Sequence, residues 1–160
     1  MSKMTGDWTK LQAKLNDISK GKVKDDMEEQ LQDSANDLKE AMQQYIRGQE
    51  GNWQPLAQAT IDKKHDDTIL IETGEMVDSI EVTPQGEDQY VISATGQRNQ
   101  EILKYHEYGT SRMVARPVVR PVFEKEKGNV KAECKDAFIT SLKKWGVTYE
   151  LWITWNRHII

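Results

Sequence analysis

The chain has 160 residues, of which 37% are hydrophobic and 30% are charged, and its formal net charge at pH 7 is −4. This length suffices for one domain, and the polar composition favours a modest core. No stretch approaches the roughly 18 apolar residues of a membrane span, and residues 1–7 lack the apolar core of a secretion signal. We therefore expect a protein that is made and used in a cytoplasm and not in a membrane.

Positive and negative charges are unevenly distributed along the chain. Residues 98–131 carry eight basic and four acidic side chains, a net charge of +4, so the remainder of the chain carries −8. Opposite charges on one subunit favour head-to-tail contacts between copies, because complementary patches attract and steer each other. The alternative is that these charges only lie on solvated helix faces.

The first third of the chain has the apolar spacing of a helix. Hydrophobic residues recur every three or four positions from Trp8 to Ile46, and Gly21 marks a break. The second half of this stretch has one apolar stripe and a charged opposite face, which is typical of a helix lying on a sheet or on another helix. Residues 1–47 are therefore predicted to be a helical N-terminal segment.

Two short helical segments are predicted next. Pro55 fits the first turn of a helix that ends at Asp66 and Asp67. Thr73 and Gly74 introduce a second one over residues 75–80. Its apolar side chains share one face: Met76, Val77 and Ile80.

The strongest β signal follows. Residues 79–83 and 89–95 both alternate between apolar and polar side chains, and Pro84, Gln85 and Gly86 between them favour a turn. The pattern predicts an antiparallel hairpin.

Two further helices are predicted after the hairpin. One covers residues 99–108 and ends at Gly109, where a left-handed backbone is tolerated. Pro117 and Pro121 bracket the start of the last helix, which carries apolar residues from Val122 to Leu142.

Residues 145–160 have the pattern of an aromatic C-terminal strand. Apolar side chains occupy alternate positions from Val147 to Trp155, so they lie on one side of the strand. This strand either closes the sheet of its own domain, which we favour, or adds to a sheet edge of a neighbouring subunit. Together the elements predict a single α+β domain over residues 1–160. In it, a small antiparallel sheet packs against the long N-terminal helix and a second, C-terminal helix.

Catalytic chemistry finds little support in the sequence. His65, His106 and His158 have no partner at the spacing of a metal-binding helix, and neither a nucleophile elbow nor a phosphate-binding loop occurs. Cys134 is the only cysteine, so neither an internal disulfide nor a thiolate cluster can form. We therefore predict no enzyme, no metal site and no cofactor.

Four blocks carry a resemblance to a known family. They are residues 53–56 with Thr60 and Lys63, residues 72–80, residues 106–110, and residues 115–117 with 120–121. In this order they resemble the phage tail-completion and head–tail joining family, whose members are also described as minor tail components, and the related Mu-type virion morphogenesis proteins. The resemblance covers residues 53–123. It departs from the family at Val118, where an aromatic residue is usual.

The resemblance implies a virion structural protein that completes the tail and joins it to the head or neck as an oligomeric ring, commonly of six copies. Its expected partners are further copies of itself, the tail tube, and neck or connector proteins. DNA is expected at most to pass through the lumen, since the net acidity argues against a dedicated DNA-binding protein. The expected location is the head–tail junction of the virion, after assembly in the host cytoplasm. The alternative is another neck or capsid adaptor, or an assembly factor.

The block around Gly109 supplies the candidate interface. Gly109 permits a sharp turn, Tyr105 and Tyr108 anchor that turn in the core or in a neighbour, and Arg112 and Arg116 suit bidentate pairing with acids of an adjacent subunit. The alternative is that these residues only maintain the fold and cap a helix, and the sequence leaves both interpretations open. The candidate subunit or neck interface consists of Tyr105, Tyr108, Gly109, Thr110, Arg112, Arg116, Arg120, Trp152 and Trp155.

Overall fold

The computed structural model describes residues 12, 13, 15–17, 20–86 and 88–145. They fall into two units, a larger one formed by residues 32–130 and a smaller one drawn from residues 1–31 and 131–160, and each is described by itself. The predicted C-terminal strand, with Trp152 and Trp155, lies outside the described residues. A single domain over residues 1–160 stays a prediction.

The predicted α+β class is confirmed. In chain order the elements are α1 (Lys22–Arg47), α2 (Gln58–Lys64), α3 (Glu75–Asp78), β1 (Ile80–Pro84), β2 (Tyr90–Ala94), α4 (Gln97–Tyr108) and α5 (Val119–Lys144). Gly21, with a φ of 83°, directly precedes α1, as the predicted break requires. None of the helices among these residues is both long and apolar enough to cross a membrane.

Two predicted helix boundaries were wrong. Pro55 does not lie in the first turn of α2, because the backbone stays extended as far as Ala57, the residue that precedes the helix. The carbonyl of Gln54 instead accepts a hydrogen bond from the Arg116 side chain, at 3.2 Å. The helix of residues 75–80 ends earlier than predicted, at Asp78, since the Ser79 carbonyl accepts a hydrogen bond from the Thr95 N–H at 2.7 Å and Ile80 joins the sheet.

The sheet is the predicted antiparallel hairpin. Its register pairs Ile80 with Ala94, and Pro84 with Tyr90. The N–H of Gln85 donates to the carbonyl of Gln89 at 2.8 Å, which closes the turn.

One apolar core holds the larger unit together. Every element of this unit except α2 contributes to it, together with Val118 just before α5. The buried residues are Met42, Ile46, Met76, Val77, Ile80, Ala94, Leu103, Val118 and Val122. Met76, Val77 and Ile80, the side chains predicted to share one face, are all among them. A helix as short as α3 is not stable alone, so burial of these side chains stabilises it.

A polar cluster organises the smaller unit. The Asp26 carboxylate accepts hydrogen bonds from Ser141 Oγ at 2.7 Å, Lys144 Nζ at 2.8 Å and Trp145 Nε1 at 2.9 Å. The bonds from Lys144, Ser141 and Trp145 lower the pKa of Asp26 to about 2, since each favours the charged form. The Lys22 ammonium lies 4.3 Å from the centre of the Trp145 ring, within cation–π range.

We expect Ile46→Ala to lower the free energy of unfolding by about 2–5 kcal/mol, because it removes a fully buried side chain and leaves a cavity. Urea unfolding followed by circular dichroism measures the change. Val114→Ala is the control, since Val114 is exposed, and should stay within about 0.5 kcal/mol of the parent. Equal losses for the two variants would contradict the assigned core.

Candidate assembly surface at the α4–α5 connection

Gly109 ends α4 with a backbone that only glycine adopts easily. Its φ is 73° and its ψ is 179°, so the predicted positive φ is present but the residue is extended rather than left-handed helical. A Cβ atom here would lie 2.9 Å from the Ala115 nitrogen and 3.0 Å from the Met113 carbonyl oxygen. Backbone geometry and close packing therefore both require glycine at this position.

After Gly109 the chain makes a tight turn and returns to α4. Thr110 N–H donates to the Met113 carbonyl at 2.8 Å, and Met113 N–H donates to the Thr110 carbonyl at 3.3 Å. The Arg116 N–H then donates to the His106 carbonyl of α4 at 2.6 Å. The connection is thus tied to the helix that it leaves.

The Glu107 carboxylate caps the N-terminus of α5. It accepts hydrogen bonds from the backbone N–H groups of Val118 at 2.8 Å, Val119 at 2.9 Å and Arg120 at 3.1 Å. The next residue, Pro121, has no N–H, and Val122 N–H makes the first intrahelical bond, to Val118. All four positions that a helix start normally leaves unpaired are therefore satisfied, and the negative charge lies at the positive end of the helix dipole.

The sequence contained a signal for this cap that the motif analysis missed. Residues 116–121 read Arg-Pro-Val-Val-Arg-Pro and contain no Ser, Thr, Asp or Asn, the residues that usually cap a helix from within. A helix start without a local cap indicates an acceptor from elsewhere. Glu107 lies 11 residues before Val118 and supplies it.

Three of the four blocks that carry the resemblance meet in space. The Trp53 indole N–H donates to the Pro117 carbonyl at 3.1 Å, and Arg116 Nη2 donates to the Gln54 carbonyl at 3.2 Å. Trp53 also makes an edge-to-face contact with Tyr45, with ring centres 5.5 Å apart. Residues 53–54, 106–107 and 116–118 thus form one structural unit within a single chain.

His106 faces the interior of this unit. Its Nδ1 atom and the Nε atom of Arg116 are buried, and neither has a hydrogen-bond partner among the residues that the structure describes. Burial, with a smaller contribution from the Arg116 charge, lowers the pKa of His106 to about 4. The imidazole is therefore neutral near pH 7, which suits packing beside a guanidinium.

The outer side of the same unit exposes aromatic and basic side chains. Tyr108 is 72% exposed, Phe123 is 53% exposed and Val119 is 37% exposed. They line an open cleft of about 480 Å³ whose lining also includes two cations, Lys104 and Arg120, and two carboxylates, Glu107 and Glu124. Among the described residues, neither of these two cations has an ion-pair or hydrogen-bond partner for its side-chain nitrogens.

The structure separates the candidate interface residues into different places. Tyr108 and Arg120 both line the cleft. Tyr105 is exposed on α4 outside the lining, and Thr110 and Arg112 lie on the exposed turn. Gly109 and Arg116 make contacts within the chain. Phe123 and Lys104, which sequence reasoning did not select, complete the cleft. A role of the nine residues in an interface stays a prediction.

The described residues contain no group of three or more His, Cys, Asp or Glu side chains placed to hold a metal ion. Glu107, one of the two carboxylates that line the cleft, accepts three backbone hydrogen bonds.

Comparison with known protein families gives a match over much of the chain. A family model described as "Bacteriophage HK97-gp10, putative tail-component" matches residues 9–109, well over half of the chain. The matched stretch contains the first two sequence blocks and residues 106–109 of the third. No curated protein and no solved structure matches significantly.

We expect Glu107→Ala to lower the free energy of unfolding by about 2 kcal/mol, because three N–H groups at the start of α5 lose a charged acceptor. Chemical denaturation measures the loss. Glu101→Ala, an exposed acid on the same helix, is the matched control and should change stability by less than about 0.5 kcal/mol. An equal effect of the two substitutions would contradict the cap.

We expect stability to fall as pH is lowered from about 6.5 to about 4. The unfolded chain protonates His106 near its ordinary pKa of 6.5, whereas the folded chain resists protonation until about 4, so the unfolded state binds more protons in this window. Thermal unfolding measured across this range should show a smaller decline for His106→Gln than for the parent. His65→Gln, at an exposed position, should follow the parent. Parallel curves for all three proteins would contradict the buried neutral imidazole.

Proposed function

The chain belongs to the HK97-gp10-like family of bacteriophage tail components, and from this premise we propose that it completes the phage tail and joins it to the head or neck as an oligomeric ring. Family membership makes it a structural component of the virion tail. The ring, the position at the head–tail junction and the neighbours belong to the proposal. The observation that carries the proposal is the family match together with the aromatic cleft held by the Glu107 cap.

The cleft supports a role in assembly through its composition. Exposed aromatic side chains with charged residues around them are the kind of surface that another protein covers, because burial of Tyr and Phe contributes much of the free energy of association. Lys104 and Arg120 at its edge supply charge that acidic residues of a neighbour can pair with. The overall acidity of the chain outside residues 98–131 gives further copies such residues.

Rigidity of the connection supports the same role. Gly109, the Thr110–Met113 turn and the Glu107 cap hold Tyr108 and Phe123 before any partner arrives. A surface that is already ordered loses little conformational entropy on binding. Such a surface suits a protein subunit that must bind to the assembling virion in one orientation.

Electron microscopy of lysates from a host whose phage lacks this gene tests the proposal. We expect DNA-filled heads beside unattached or over-long tails. Mass spectrometry of purified particles from the intact phage should detect the protein, which separates a structural component from an assembly factor that leaves. Intact, infectious virions from the deletion would refute the proposal.

We expect Tyr108→Ser combined with Phe123→Ser to leave the chain folded but unable to restore joined particles to the deletion phage. Truncation of a central aromatic anchor typically costs about 2 kcal/mol or more of binding, roughly 30-fold in affinity. Phe138→Ser is the matched control, because Phe138 is an exposed phenylalanine of the same helix that does not line the cleft. Full complementation by the double variant would contradict a role of the cleft in assembly.

A further inference from the structure

The outer edge of β2 carries backbone groups without a partner. Thr95 N–H donates to the Ser79 carbonyl and Gln85 N–H donates to the Gln89 carbonyl, so these two pairs are hydrogen-bonded pairs of the hairpin. The register places the other hydrogen-bonded pairs at every second residue between them. The N–H and C=O groups of Tyr90 and Ile92 therefore point away from β1. Among the described residues no group pairs with them, and both residues are only half-buried.

The edge of β1 is a poorer template. Its outward-facing residues are Ile80, Val82 and Pro84, of which Pro84 has no N–H and Ile80 is buried. Val82 is left as the one accessible N–H on that side. On β2, Ala94 is buried as well, so the accessible edge comprises Tyr90 and Ile92 with two donors and two acceptors.

The β2 edge leads into the aromatic cleft. Ser93 and Ala94, at the end of β2, line the cleft together with Tyr108 and Phe123. A strand that pairs with Tyr90 and Ile92 and continues past Ser93 would bring its side chains against these aromatic rings. The site therefore favours an extended segment with apolar residues at every second position.

We propose that this edge and cleft take residues 147–156 of a second copy by strand addition, an inference that rests on the proposed ring. Val147, Tyr149, Leu151, Ile153 and Trp155 supply the required alternation. A two-stranded hairpin is marginally stable alone, so a third strand also stabilises the acceptor.

Head-to-tail exchange of this kind is suited to a ring. Each copy offers one β2 edge and donates one segment, so the contact is heterologous and closes when the rotation between copies fits. The receiving cleft is lined by two cations, Lys104 and Arg120, and by two carboxylates, Glu107 and Glu124. Charge therefore does not select the donor, and the pairing rests on the apolar alternation of the segment.

Disulfide trapping in the full chain tests the proposal. In a Cys134→Ser background, Val91→Cys is combined in turn with a cysteine replacing each residue from Thr148 to Thr154. Val91 is exposed on the sheet face opposite Ile92, so the even-numbered positions of an added strand would lie beside it. Thr83→Cys is the matched control, since Thr83 pairs with Val91 on the same face but lies about 10 Å from a strand added at β2, too far for a disulfide.

We expect intermolecular disulfides between Val91→Cys and the even-numbered positions, at least about fivefold above the odd-numbered ones, and none with Thr83→Cys. Disulfides within one chain, cross-links to Thr83→Cys alone, or no alternation would overturn the proposal. The Cys134→Ser parent is assayed in parallel for restoration of joined particles. A parent that restores them without cross-linking refutes the strand addition alone, whereas a deletion phage that needs no restoration refutes the proposed function.

Discussion

Three backbone N–H groups at the start of α5 converge on the Glu107 carboxylate of α4, and the geometry of the α4–α5 connection depends on this contact. Without it the first turn of α5 would have unpaired donors and no local cap. With it, the connection from Gly109 to Val118 is held at both ends, by the tight turn after Gly109 and by the bond from Val118 N–H to Glu107. Trp53 and Arg116 then reach the Pro117 and Gln54 carbonyls from fixed positions.

Three consecutive residues at the end of α4 point in three directions and do three different things. Because successive residues of a helix are about 100° apart, His106 turns to the interior, Glu107 to α5 and Tyr108 to solvent. The inner residue is held neutral by burial, the middle one accepts three backbone hydrogen bonds at a helix N-terminus, and the outer one is exposed. The most distinctive motif of the sequence therefore combines structural residues with an exposed one, and the interface interpretation stays a prediction.

Local features of the fold could be predicted from the sequence. Alternating apolar and polar side chains and a Pro-Gln-Gly turn predicted the hairpin, and Gly21 and Gly109 predicted helix boundaries. These signals could be read from the sequence because each one affects only the few residues around it. The site residues were harder. Arg116 binds a carbonyl 62 residues away and Trp53 one 64 residues away, so neither partner could be inferred from spacing. Phe123 falls among the apolar residues predicted for the last helix, but periodicity does not say which of these residues stay exposed.

The most direct test of this account is amide hydrogen exchange at Val118, Val119 and Arg120, measured by NMR in the parent and in Glu107→Ala. If the carboxylate caps α5, these three amides exchange slowly in the parent, and the substitution accelerates all three together while the amides in the middle of α4 keep their rates. Fast exchange in the parent, or unchanged rates in the variant, would show that Glu107 does not hold the connection, and the preorganised cleft would lose its basis.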